Sequence, residues 1–147
     1  MKLISVTANN RKEVEKLSVF PEQKGFIESV VECLQEADEN DAWHPYGIYE
    51  DDELVGFTMF GLIEEKKYTR LWFDRLLIDR KYQGKGLAKK AILIILDRIK
   101  KEYPNTAIYL SAYEDNLRAI ALYQAFGFVF TNELDTKGEK IMILKEN

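Results

Sequence analysis

A mixed α/β fold is predicted by three observations. Short apolar strands lie at both ends of the chain, one strongly amphipathic helix lies beyond its middle, and a strand stands on either side of that helix. A strand–helix–strand unit of this kind pairs its strands in parallel through a right-handed crossover. The other strands follow one another through short turns, which predicts antiparallel hairpins. The expected architecture is a central mixed sheet, mostly antiparallel, of about seven strands flanked by about four helices.

The elements follow in chain order. Lys2 to Thr7 alternates as a first strand. Glu22 to Asp41 is predicted as a helical region, with Phe26, Ile27, Val30, Val31 and Leu34 on one face and Glu28, Glu32 and Glu36 on the other. Pro45 to Glu50 and Leu54 to Phe60 form a hairpin about the acidic turn Glu50-Asp-Asp-Glu53. After Glu64-Glu-Lys-Lys67, a strand runs from Tyr68 to Asp79. Leu87 to about Tyr103 is the clearest helix, with a stripe of Leu87, Ala91, Ile92, Ile95 and Ile99 and Pro104 beyond its end. Ala107 to Ala112 is a compact strand that completes a parallel unit begun at Trp72. Asn116 is placed to cap a helix reaching Phe126, with Gly127 as its C′ residue. Phe128 to Asn132 and Lys140 to Leu144 are the last strands. With no linker or repeat in 147 residues, the reading is one domain spanning 1–147.

Composition narrows the function classes. Hydrophobic residues are 46% and charged residues 31%, the balance of a globular protein. A net charge of −4 argues against a general nucleic-acid binder and suits a cationic small molecule or peptide. One cysteine, Cys33, and one histidine, His44, exclude an intramolecular disulfide and make a zinc site a poor expectation. No metal is expected. Ala91 to Leu96, the longest apolar run, is too short for a membrane span, and the N-terminus lacks signal-peptide anatomy. A cytoplasmic location away from the membrane is expected.

One turn stands out, Arg80-Lys-Tyr-Gln-Gly-Lys-Gly-Leu-Ala-Lys-Lys-Ala91. It lacks the spacing and hydroxyl of a P-loop, and Lys89 occupies the third glycine position of a dinucleotide fingerprint. The acid expected about 20 residues later would fall at a helix end rather than a strand end. Anion binding still has a physical basis here, because a helix opening at Gly86 or Leu87 offers unpaired N–H groups and the positive end of its dipole. Gly84 and Gly86 let the backbone curl, and Lys85, Lys89 and Lys90 add positive charge. From this segment alone, a phosphate cradle and a solvated basic turn both remain open.

A second motif bears on that choice. Gln83-Gly-Lys-Gly-Leu-Ala88 resembles the Gln/Arg-x-x-Gly-x-Gly/Ala signature of the GCN5-related N-acetyltransferases (GNAT). Asn116-Leu-Arg-Ala-Ile-Ala-Leu-Tyr-Gln-Ala-Phe-Gly-Phe128 resembles that family's following Asn-x-x-Ala-x-x-x-Tyr-x-x-x-Gly-Phe motif. One helix and one strand separate the two, as the family requires. The segments Trp43 to Asp52, Leu54 to Gly61 and Leu71 to Asp79 further resemble bacterial spermine/spermidine (diamine) acetyltransferases.

The resemblance implies acetyl-CoA as co-substrate and a polyamine such as spermidine or spermine as acceptor. Gln83, Gly84, Lys85, Gly86, Leu87, Ala88 and Lys89 would cradle the diphosphate. Backbone groups of Leu76, Leu77 and Ile78, beside a bulge where two parallel strands splay, would bind the pantetheine arm, and a strand N–H there would hold the oxyanion. Asn116 and Ala119 would contact the same arm, and Tyr123 would protonate the departing thiolate. Transfer of acetyl from protein N-termini or lysines uses the same cofactor residues and is the alternative activity. A CoA-binding sensor without turnover is the alternative from another class. Dimers are common in the family, so a homodimer is compatible with the resemblance.

Residues on the acceptor side are read from their setting. Asp74 interrupts the apolar strand Leu71 to Ile78, and an acid there needs a reason. It is a candidate base or amine-binding group, and an ion pair to another strand is the competing explanation. Glu22 to Asp41 holds seven acids against one lysine, so Glu28 and Glu32 are candidate amine-binding residues. The wet face of an amphipathic helix is the competing explanation. Trp43 could line the acceptor site or pack in the core, and His44 is an alternative base.

Overall fold

The computed structural model describes residues 1–145, with the side chain of Asp74 outside that description. Seven strands form one sheet in the order β1-β2-β3-β4-β5-β7-β6. They are β1 Lys2–Ser5, β2 Trp43–Glu50, β3 Glu53–Glu64, β4 Thr69–Ile78, β5 Ile108–Ala112, β6 Val129–Leu134 and β7 Lys140–Leu144. Four helices accompany them: α1 Arg11–Glu15, α2 Val30–Glu39, α3 Leu87–Glu102 and α4 Leu117–Ala125. All pairings are antiparallel except β4 with β5, the parallel pair expected across the α3 crossover. Among the described residues no helix is long and apolar enough to cross a membrane.

The sheet carries a core on each face. Phe60, Phe73, Ile92, Ile95, Ile99 and Ile108 belong to one, built on the apolar stripe of α3. Val30, Cys33, Leu34, Trp43, Phe57, Met59 and Trp72 belong to the other, under α2. Burial pushes the Cys33 thiol up to about 11, which keeps it protonated.

Two features of β4 shape the groove described below. Met59 pairs with Arg75 and the next residue, Phe60, pairs with Phe73, so Asp74 is an extra residue in the strand. The packing shows the same step: Leu71 and Phe73 face the α3 side before it, and Leu76 and Ile78 face that side after it. In addition, β5 pairs with β4 only at Leu71 and Trp72. Beyond that point the parallel strands part, and the edge of β4 facing β5 presents main-chain groups with no strand beside them.

The predicted helix over Glu22 to Asp41 is shorter in the structure. Pro21–Gln23 forms a single 3-10 turn, and α2 begins only at Val30. The start is set by a capping box in which Ser29 Oγ accepts from the Glu32 N–H at 3.2 Å and Glu32 accepts from the Ser29 N–H at 3.1 Å. Phe26 and Ile27 fall at helical spacing from Val30, yet they lie in the preceding loop. Glu28 lies there too and is not on the helix face shared by Glu32 and Glu36. Helix α1 was not expected; its five residues bury only Val14, too little periodicity to read.

Helix α4 ends as its sequence predicts. The Phe128 N–H bonds the Tyr123 carbonyl at 3.2 Å and the Gly127 N–H bonds the Gln124 carbonyl at 3.0 Å, with Gly127 at φ 101°. This is a Schellman closure, which favours a glycine in left-handed backbone. Its other end differs from expectation: Asn116 occupies the N-cap position, but its side chain makes no capping hydrogen bond.

Candidate active site

A groove of about 710 Å³ opens along the splayed edge of β4. Its first part is made by the turn between β4 and α3. Asp79 is buried, and its carboxylate accepts from the Ser18 N–H at 2.9 Å and the Lys81 N–H at 3.2 Å. That starts the 3-10 turn Arg80–Tyr82. Gln83 then folds back, its Nε2 donating to the Ile78 carbonyl at 2.9 Å while its amide pairs reciprocally with that of Gln23. Gly84 and Gly86 follow at φ 79° and 76°, with open space where a Cβ would stand. Left-handed backbone, not crowding, is what asks for glycine here.

The long helix α3 opens directly from that turn, and Gly86 brings no side chain to cap it. Helix geometry leaves the N–H groups of Leu87, Ala88 and Lys89 without intrahelical acceptors, at the positive end of the dipole. Backbone N–H groups, open left-handed glycines and a lysine in one concavity suit a diphosphate. The three lysines of this turn are not equivalent. Lys89 lines the groove, Lys85 does not and stands 5.7 Å over the Tyr82 ring, and Lys90 is paired with Glu50.

The middle of the groove is formed by Leu76, Leu77 and Ile78 of β4, by Ala112 of β5, and by Asn116, Ala119 and Tyr123 from α4. Asn116, Ala119 and Tyr123 share a face because they are spaced at three and four residues. The Tyr123 ring meets Phe73 and Phe128 edge-on, at 6.1 and 5.9 Å between centroids. Core packing thus fixes the ring while its half-buried position keeps it at the groove wall.

Charged groups dominate the remaining part. Arg75 lies about 10 Å back along β4 from Ile78, away from the glycine turn. Its buried guanidinium reaches Glu28 at 3.3 Å and Glu36 at 3.1 Å. Glu28 also pairs with Lys137, which comes from the turn between β6 and β7. Burial opposes ionisation of Glu28, but the hydrogen bond from Lys137 and the charge of Arg75 hold its carboxyl below the usual range. Glu139, from the same turn as Lys137, is 9% exposed and accepts from the Ser111 hydroxyl at 3.4 Å. Glu28, Arg75, Ser111 and Glu139 all line the groove.

Most residues expected at the cofactor lie together on this groove, with Lys85 outside it. Acceptor-side placements differ more. Glu28 lines the groove, but Glu32 is exposed and engaged in the α2 capping box. Trp43 is buried in the core under α2 and is not part of the lining. His44 is exposed on β2 against the edge of Phe60. The Asp74 side chain lies outside the described residues, although its backbone forms the bulge. Arg75, Ser111, Lys137 and Glu139 were not anticipated. Arg75 carried a readable signal, since a charge in an apolar strand calls for a partner as much as Asp74 does. Among the described residues no group of His, Cys, Asp and Glu could hold a metal ion.

Comparison with known proteins agrees with this fold. The chain is 44% identical over 143 residues to the spermine/spermidine N(1)-acetyltransferase of Bacillus subtilis (strain 168), covering 95% of this chain and 94% of that one. An aminoglycoside acetyltransferase in complex with coenzyme A shares the fold at a TM-score of 0.80 and 18% identity, over 98% of this chain and 94% of its own. The spermidine N-acetyltransferase of Vibrio cholerae, solved with CoA and spermine, matches at 0.72 and 20%, over 99% and 95%. The model of the acetyltransferase (GNAT) family matches residues 11–128, a span that takes in both the glycine turn and Tyr123. The chain belongs to the GNAT acetyltransferase family.

Proposed function

We propose that this protein transfers the acetyl group of acetyl-CoA to a primary amine of a polyamine such as spermidine or spermine. The observation that carries the reading is one continuous groove. It joins a backbone-built anion cradle, a splayed strand edge, a tyrosine and a cluster of carboxylates. The cradle from Gln83 to Lys89 takes the diphosphate, and the Leu76 to Ile78 edge takes the amide-bearing arm as an added strand would. The relative at 44% identity is named for spermine and spermidine, and the groove carboxylates suit a cation.

Transfer needs a neutral amine to attack the thioester carbonyl, with the thiolate leaving. Asp74 accepts the proton that the ammonium must lose, directly or through water. A β4 backbone N–H between Leu76 and Ile78 holds the oxygen that becomes negative. Tyr123 donates its hydroxyl proton to the departing sulfur. The phenol must be oriented toward the sulfur to serve it, and packing of the Tyr123 ring on Phe73 and Phe128 fixes that orientation.

The test is a CoA-release assay across spermidine, spermine, putrescine, amino sugars and short peptides. Polyamines are expected to be turned over fastest. Faster turnover of peptides would replace this reading with a protein acetyltransferase. Acetyl-CoA binding with no turnover of any acceptor would leave a CoA-binding module. Asp74→Asn should slow polyamine acetylation most at low pH, where the amine is most protonated; an equal loss at every pH would remove Asp74 as the base.

A further inference from the structure

The turn between β6 and β7 places Glu139 in the groove lining and Lys137 against Glu28, which lines the groove as well. Asp135 holds the turn: its carboxylate accepts from the Lys137 N–H at 2.9 Å and the Glu139 N–H at 2.8 Å. Two residues so fixed diverge in role. Glu139 turns inward onto the groove beside Ser111 and is 9% exposed. Lys137 reaches across to Glu28, 109 residues away in sequence, with its own side chain 52% exposed.

Glu28 therefore has two cationic neighbours of different kinds. Arg75 is buried in β4 and also bound to Glu36, so it is a permanent part of the wall. Lys137 is a primary alkylammonium on a flexible stem at the protein surface. Chemically it is the same group that a polyamine carries at each end. Glu28 and Glu139 both line the groove, and both favour the Lys137 ammonium, Glu28 first through its hydrogen bond, against burial and the charge of Arg75.

We propose that Glu28 and Glu139 are the specificity-determining pair that holds the non-reacting terminal ammonium of the acceptor, and that Lys137 is an internal stand-in which the substrate displaces. The proposal rests on the polyamine reading above. It accounts for a lysine paired with a groove carboxylate, and it predicts selection against amines that lack a second terminal ammonium. Exchange of one alkylammonium for another leaves Glu28 with the same two kinds of cationic neighbour, Arg75 and an alkylammonium, so displacement keeps the charge balance of the wall.

The experiment uses the full chain with saturating acetyl-CoA. It compares kcat/KM for spermidine with that for N-pentylpropanediamine, in which one terminal ammonium of spermidine is replaced by methyl. Lys137→Met should raise the spermidine-to-analogue ratio about fivefold through KM, as loss of a competing surface ion pair would. Glu139→Gln should lower the ratio about tenfold, again through KM, and Glu139→Asp should recover part of it. An unchanged ratio in Lys137→Met overturns the stand-in. A Glu139→Gln effect confined to kcat overturns the specificity role. Lys137 is half-exposed in a turn, so its variant remains informative if a Glu139 variant does not fold. Calorimetric titration of spermidine into the CoA complex separates the two levels of argument. Tighter binding to Lys137→Met than to the wild type supports the stand-in without turnover. Spermidine binding that is equal in the two proteins overturns it while leaving the polyamine reading in place. A wild type that neither binds nor acetylates spermidine overturns both.

Discussion

The glycine turn and the charged wall, two parts of one groove, are built by opposite means. The turn from Gln83 to Lys89 is seven consecutive residues proposed to bind through their main chain, with left-handed glycines and an uncapped helix start as its devices. The charged wall uses side chains from four separate stretches, Glu28, Arg75, Ser111 and the Lys137–Glu139 turn. A backbone site is local and tolerates changes in side chain but not in φ. A side-chain site is assembled at a distance and changes with any one contributor. On this view the cofactor is a family property, while the acceptor is the property of this chain.

The sharpest way to break the contrast is Gly86→Glu, which adds a carboxylate and a Cβ at φ 76°. CoA affinity should fall by about a hundredfold or more, read by calorimetry, since strain and like-charge repulsion act together. Retained affinity would show that the turn is not the cradle. Next in size, Tyr123→Phe should lower kcat by about a hundredfold while acetyl-CoA affinity stays within a factor of two. Unchanged turnover would remove the tyrosine as the acid.

Arg75→Met tests the other region. It leaves Glu28 and Glu36 without their buried cation and should destabilise the fold by about 2 kcal/mol, seen as a lower thermal midpoint. A variant of wild-type stability would show that the wall does not depend on Arg75. The smallest effect concerns acid. Glu28 and Asp135 both have carboxyls held below their ordinary values, for Glu28 against burial by Lys137 and Arg75, and for Asp135 against burial by hydrogen bonds within its turn. A depressed folded-state value means the stabilisation is complete above the ordinary range of about 4 and is lost as pH falls through the lower folded values. Stability measured from pH 6 downward should therefore be flat before it drops below about 4, and Lys137→Met should lessen that drop. A drop of the same size in the variant would separate the acid transition from this ion pair.

Misreadings along the chain have a common cause. Glu22 to Asp41 was expected as one helix because Phe26 and Ile27 match the period of Val30 and Leu34. The Ser29–Glu32 box was available as a start signal, and local capping overrode the longer pattern. Asn116 was expected as a cap because asparagine at such a position usually is one. It instead lines the groove, and its side chain makes no cap bond to the helix. Trp43 was open to either the acceptor site or the core, and the structure places it in the core under α2.

By itself the sequence determined the order of the strands and of the two helices from Leu87 on, the parallel crossover and the Gly127 closure. Each of these depends on neighbours within a turn or two of chain, where φ preference, periodicity and motif spacing act directly. Only the tertiary structure decided that Glu28 and not Glu32 meets the groove, that Arg75 anchors its wall, and that Lys137 and Glu139 arrive from the far end of the chain. Ion pairs between residues up to 109 positions apart leave no local trace, because their geometry exists only once the fold has brought the loop before α2 to the β6–β7 turn.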